Sequence, residues 1–226
     1  MRPSLLRCLL TEALGTAGLL LFGTGAAVVD EQTHALGHGG VAAAFGLVVF
    51  MLIQSLGAVS GAHVNPAVTV GFWAAGRFPG RRVLPYVAAQ LAGALVGSEL
   101  VWGLATPGST LGATLPAHSA GQALCIETVL TFWLMLVILR VTAGSKEEGL
   151  WAGLAISATV WLEALVAGPL SGASMNPARS LAPALLSGHL EAAWVYVAGP
   201  VAGVLLAVAV NRFLTISSPA TPPPSS

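Results

Sequence analysis

Apolar residues along this chain come in long runs, unlike the alternation of a half-buried strand or the one-sided stripe of a soluble helix. Six of these runs approach the roughly 20 residues that a helix needs to cross a hydrocarbon core. They are Leu9–Val29, Gly40–Val59, Val83–Leu104, Gly121–Val141, Leu150–Val166 and Ala192–Leu214, separated by connectors rich in Gly, Pro, Ser and His. The pattern predicts an all-α membrane protein with six transmembrane helices in one domain over residues 1–214. Residues 215–226 lack apolar periodicity and carry four prolines from Ser217 onward, so a disordered tail is expected there. A signal peptide would also place Arg2 and Arg7 ahead of an apolar run. This run, however, is long for a signal core, contains Glu12 and has a counterpart later in the chain, so it reads as a retained first span.

That counterpart belongs to an internal repeat. Ser60-Gly61-Ala62-His63-Val64-Asn65-Pro66-Ala67 recurs as Ser171-Gly172-Ala173-Ser174-Met175-Asn176-Pro177-Ala178. At nearly the same offset Tyr86–Gly93 resembles Tyr196–Gly203, and Glu12 pairs with Glu127. Each copy, about 5–104 and about 121–214, holds three spans. Three is odd, so the second copy enters from the opposite side and the halves are inverted about the membrane plane. Each copy also holds a short segment after its second span, near Pro66–Ala75 and Pro177–Leu186. A helix of about ten residues is about 15 Å long, half of a ~30 Å core. Such re-entrant half-helices must be enclosed by protein or line a water-filled cavity.

Composition agrees with a membrane solvent. Of 226 residues, 55% are hydrophobic and 8% charged, against about a quarter charged in soluble domains. The formal net charge is +0, which leaves no global basic field for nucleic acid. Arg2, Arg7, Arg77, Arg81, Arg82, Arg140, Lys146 and Arg212 all fall on one side of the predicted topology, the side that the positive-inside bias makes cytoplasmic, together with both termini. Arg179 stands apart. Cys8 and Cys125 show no metal or redox spacing and read as buried thiols. His34, His38, His118 and His189 fall in predicted outer loops, where solvation is the simplest reading, so no metal and no cofactor are expected.

Asn is a preferred helix N-cap, and Pro suits the first helical position because its missing N–H would be unpaired there in any case. Asn65 and Asn176 therefore cap the half-helices beginning Pro66-Ala67 and Pro177-Ala178, and the inverted repeat aims those caps at each other near the midplane. With the motifs SGAHVNPAVT (60–69) and SGASMNPARS (171–180), the chain resembles the aquaporin, or major intrinsic protein, family over residues 5–214. The region from Gly168-Pro169 to Pro183 looks most like the nodulin-like plant intrinsic proteins and their bacterial relatives. The resemblance implies an hourglass pore, a homotetramer in the lipid bilayer, and passive flux of water or small neutral solutes. The setting it implies is the plasma membrane, or the inner membrane of a bacterium. It also places a selectivity filter on Phe45, Ala164, Ala173 and Arg179, an inner-vestibule role on His63, and structural buried carboxylates on Glu12 and Glu127.

The filter departs from two family patterns. Strict water channels place a histidine where Ala164 stands, and glycerol channels place an aspartate where Ser180 stands. Two alanines leave room for glycerol, urea, ammonia, hydrogen peroxide or neutral metalloid hydroxides. Glu163, beside Ala164, has no evident role: it could be buried, line the pore or pair with an outer histidine. An ion-coupled secondary transporter is the alternative function, since inverted repeats and broken helices occur there too. An enzyme is not expected, because no nucleophile-base pair, HExxH motif or phosphate loop appears.

Overall fold

The computed structural model describes residues 3–143 and 146–215. The tail expected over 215–226 lies, beyond Thr215, outside them. Among the described residues all regular structure is helical. Six long apolar helices form the spans: Leu5–Thr33, Gly37–Ser60, Gly80–Trp102, Ala120–Val141, Lys146–Ser171 and Val195–Thr215. Two short helices, Pro66–Ala74 and Pro177–Ser187, follow the second and fifth spans.

Most boundaries differ from the hydropathy reading by a few residues, for local reasons. The first span starts early because Ser4 caps it, its Oγ accepting from the Arg7 N–H at 3.3 Å. It also contains a π-helical turn at Leu20–Thr24, where the Thr24 hydroxyl donates to the Leu20 carbonyl at 2.6 Å. The fifth span runs past Pro169 to Ser171 although proline removes a helix donor. The carbonyl left without its i+4 partner is that of Leu165, and the His38 ring occupies it at 2.7 Å.

Six crossings return the chain to the face where it began, here called the terminal face; the opposite one is the distal face. The polarity of the packing is inverted relative to a soluble protein. Large apolar side chains such as Leu84 (80% exposed) and Phe213 (78% exposed) point outward, while Glu12, Gln90, Glu127 and Arg179 are buried. That arrangement suits a solvent of hydrocarbon, in which every backbone and side-chain polar group must be satisfied internally.

Small residues set the closest helix approaches, once in each repeat. A Cβ placed on Gly97 would stand 2.5 Å from the Ala17 carbonyl oxygen, and one on Gly203 would stand 2.5 Å from that of Thr128. Gly93 and Gly199 occupy the neighbouring turns, the first against Ala13 and the second against Glu127. The third span thus rides on the first as the sixth rides on the fourth, with backbone against backbone. This is the packing of small-xxx-small motifs in lipid.

A methyl group has no room at these crossings. Gly203→Ala is expected to lower stability by about 1–3 kcal/mol, read as a drop of several degrees in the thermal melt of the detergent-solubilised protein. Gly121→Ala, where a Cβ meets nothing within 4 Å, should leave the melt unchanged or raise it slightly.

Candidate functional site

The centre of the molecule is built from the two short helices and the loops that lead into them. Asn65 is extended (φ −156°, ψ 119°), and its Oδ1 accepts from the N–H groups of Ala67 at 2.9 Å and Val68 at 3.4 Å. Asn176 repeats this (φ −148°, ψ 107°), accepting from Ala178 at 3.0 Å and Arg179 at 3.3 Å. Pro66 and Pro177 open the helices as their first residues. The amide nitrogens then cross between the repeats. Asn65 Nδ2 donates to the Met175 carbonyl at 2.8 Å, and Asn176 Nδ2 donates to the Val64 carbonyl at 2.9 Å. Each amide carries two hydrogens, so one N–H per asparagine has no protein partner among the described residues.

The loops feeding this junction are held in unusual backbone. Ala62, Val64, Ala173 and Met175 all have positive φ, between 41° and 54°, a region that costs non-glycine residues of order 1–3 kcal/mol each. The buried carboxylates hold them there. Glu12 accepts from the N–H groups of His63 (3.0 Å) and Val64 (2.7 Å) and from Gln90 Nε2 (2.8 Å). Glu127 accepts from the Ser171 hydroxyl (2.8 Å) and the N–H groups of Ser174 (2.9 Å) and Met175 (2.7 Å). Tyr86 and Tyr196 complete each half by donating to the carbonyls of Ser60 at 3.0 Å and Ser171 at 2.8 Å.

A cavity of about 390 Å³ runs from the terminal face, beside Gly57 and Thr142, past Asn65 and Asn176. A second, of about 310 Å³, opens on the distal side beside Glu31, His38 and Thr110. Phe45, Ala164, Ala173 and Arg179 line both cavities, so these four residues mark where the two meet. Arg179 lies with its guanidinium carbon 4.9 Å from the Phe45 ring centre, and its Nη1 donates to the Gly112 carbonyl at 2.7 Å. His63 borders the larger cavity, stacked on Phe72 with centroids 4.8 Å apart and with Nδ1 3.1 Å from the Thr69 hydroxyl.

Residues 1–211 match the family described as Major intrinsic protein. The chain belongs to the major intrinsic protein family. It is 48% identical over 200 residues to Aquaporin NIP1-4 of Oryza sativa subsp. japonica, covering 88% of this chain and 73% of that one. With Probable aquaporin NIP4-2 of Arabidopsis thaliana it shares 42% over 210 residues, 91% of this chain and 74% of that one. Its fold superposes on the X-ray structure of the aquaglyceroporin from Plasmodium falciparum with a TM-score of 0.82 and 28% identity, covering 94% and 98% of the two chains. The protein is accordingly a multi-pass membrane channel for passive movement of water and small solutes, not an enzyme.

Several residues around the site escape sequence reasoning. The connector between the repeats drops onto the second motif, so that Gly112 holds Arg179 and the Thr114 hydroxyl donates to Ser180 at 2.7 Å. Ser180 in turn bonds Ser174 at 2.5 Å, and Ser174 donates to the Asn176 carbonyl at 2.9 Å. This hydroxyl chain fills the place beside Arg179 where glycerol channels were expected to carry an aspartate. His38 is exposed, as a solvated residue would be, but it lies in the first turn of the second span rather than in a loop, and its ring also bonds the fifth span. Of the two cysteines, Cys8 is buried and contacts the Val59 carbonyl at 3.4 Å, whereas Cys125 is exposed on the fourth span, which corrects the expectation of a buried thiol there. Glu163 is buried, with no partner for either carboxyl oxygen among the described residues; it lines neither cavity and pairs with no histidine.

Two buried carboxyl groups on neighbouring spans thus differ in their partners, and their removal should have opposite signs. Glu127→Ala strands three donors and is expected to destabilise by at least about 3 kcal/mol. Glu163→Leu removes an unpartnered polar group and should stabilise by about 1–3 kcal/mol. Thermal melts of the two variants in one detergent provide the comparison.

Proposed function

We propose that the passage conducts water together with small uncharged solutes and rejects protons and ions, with Asn65 and Asn176 as its central donors and Phe45, Ala164, Ala173 and Arg179 as its filter. The observation that carries this reading is the meeting of the two cavities at those four side chains, with the asparagine pair on the wall of the larger one. Each short-helix N-terminus carries roughly half a positive charge. Two such ends facing one conduit repel cations, a barrier of the kind recognised in aquaporin-type pores. The free amide N–H of each asparagine donates to a passing water oxygen, which turns that water's hydrogens away from both neighbours and interrupts proton relay.

Arg179 adds a fixed cation where the two cavities meet and offers further N–H donors beyond the one taken by Gly112. The two alanines opposite leave the ring wide and without a second donor. That favours solutes larger than water, among glycerol, urea, ammonia, hydrogen peroxide and neutral metalloid hydroxides. The transporter alternative needs a free carboxylate at the midplane to bind a coupling ion. Glu12 and Glu127 are instead occupied by the loop donors they hold, and the unpartnered Glu163 lines neither cavity, so it does not face the passage.

The terminal face reads as cytoplasmic, because arginines gather there and two of them cap helix ends. Arg77 donates to the carbonyls of Leu139 (3.1 Å) and Thr142 (2.6 Å), and Arg212 to that of Ala74 (2.6 Å), each at a helix C-terminus. A homotetramer in the plasma membrane, or in a bacterial inner membrane, with one pore per subunit, is the assembly that the family resemblance implies.

Stopped-flow swelling of proteoliposomes tests the filter. Ala164→His should lower glycerol permeability relative to water by about tenfold, a barrier increase of roughly 1.4 kcal/mol; equal loss of both would refute the filter assignment. Arg179→Ala should admit small cations that the native protein excludes, measured as ion leak from the same vesicles, and unchanged exclusion would count against its role.

A further inference from the structure

Resting on the filter reading above, we infer that His38 is a further specificity-determining residue, which presents an acceptor to hydroxyl-bearing neutral solutes at the distal mouth before they reach Arg179. The second span opens with Gly37-His38-Gly39-Gly40, a sequence of poor helix formers. Its entry is anchored by Asp30, whose Oδ1 accepts from the N–H groups of Leu36 at 3.0 Å and Gly37 at 2.7 Å. The His38 side chain borders the distal cavity and meets the fifth span.

Two features of the fifth span receive it. Pro169 has no N–H, so the Leu165 carbonyl lacks its helical donor, and His38 Nε2 stands 2.7 Å from it. Gly168 leaves the surface bare where the ring lies: a Cβ there would stand 2.7 Å from His38 Cε1. The Gly168-Pro169 pair therefore supplies both a seat and a bonding partner.

The partner decides the chemistry of the other ring nitrogen. A carbonyl only accepts, so Nε2 carries the hydrogen and Nδ1 of the neutral ring is an acceptor. No described residue donates to Nδ1. His38 and Arg179 line the same cavity, and His38 lies two helical turns, about 10 Å of rise, before Phe45 on the same span. A polyol entering there donates to Nδ1 while its leading hydroxyl approaches the Arg179 guanidinium. Glu31 of the first span borders the same cavity and accepts from the Ser109 hydroxyl at 2.8 Å, adding acceptor character to the mouth.

A bolt that merely fastened the kinked fifth span would leave selectivity alone, and a steric plug would raise solute flux when removed. The test is the glycerol-to-water permeability ratio in proteoliposomes of the full chain. His38→Leu should lower this ratio about fivefold, the weight of one neutral hydrogen bond. His38→Gln, which keeps a donor for Leu165 and an acceptor for solute, should retain the ratio within about twofold. Gly168→Ala, which displaces the ring without altering its chemistry, should lower the ratio and add nothing in the His38→Leu background. A ratio that His38→Leu leaves unchanged or raises, or additive effects of the two changes, would overturn the role of His38. A native protein that passes neither water nor glycerol would overturn the filter reading instead.

Discussion

Each asparagine at the centre is divided between its own helix and the opposite loop. Its oxygen caps the short helix that follows, and its nitrogen binds a carbonyl from the other repeat, Met175 for Asn65 and Val64 for Asn176. The tie is reciprocal, so neither half can shift without breaking a bond at both ends. It fixes the separation of two helix N-termini that would otherwise repel. It also requires the preceding loops to present Val64 and Met175 in left-handed backbone. A β-branched residue in that region is rare and persists only where its surroundings over-determine it. Glu12 and Glu127 provide that determination from buried positions on the first and fourth spans.

The membrane explains why such a junction is built from within. Hydrocarbon offers no partner to a stray N–H or carbonyl, so a chain interrupted at half-membrane depth has to satisfy its open ends with its own side chains. Caps, carboxylates and tyrosine hydroxyls do this in matched sets, one per repeat. The close crossings at Gly93-Gly97 and Gly199-Gly203 bring those sets within reach of the loops. Apolar bulk is left to the outside, where Leu84 and Phe213 are exposed. In the proposed reading, selectivity falls to the few groups not consumed by this architecture: one N–H on each asparagine, the remaining Arg179 donors, the His38 acceptor, and the space beside Ala164 and Ala173.

The sequence made legible what repeats. The duplicated motif disclosed the short helices, their caps and the inversion, and the family resemblance that it carries pointed to the four side chains that line both cavities. What occurs once was harder to see. The loop that delivers Gly112 to Arg179 and Thr114 to Ser180 has no periodicity and no counterpart in the first repeat. His38 is exposed as expected, but its bond to Leu165 was not legible, because a histidine near a loop carries no signal of its partner; only the i+4 relation between Leu165 and Pro169 hinted at an open carbonyl. Cys125 sits in an apolar run, and in a membrane protein such a run faces outward as readily as inward. The unpartnered carboxyl of Glu163 has no structural counterpart that explains it.

The central claim is that one pair of capped helix ends passes water while refusing protons. Recording water flux and proton flux together, in one preparation of proteoliposomes loaded with a pH-sensitive dye, tests it most directly. The account predicts rapid osmotic swelling with dissipation of a pH gradient no faster than in protein-free vesicles. Proton flux that rises in step with water permeability as protein is added would contradict it.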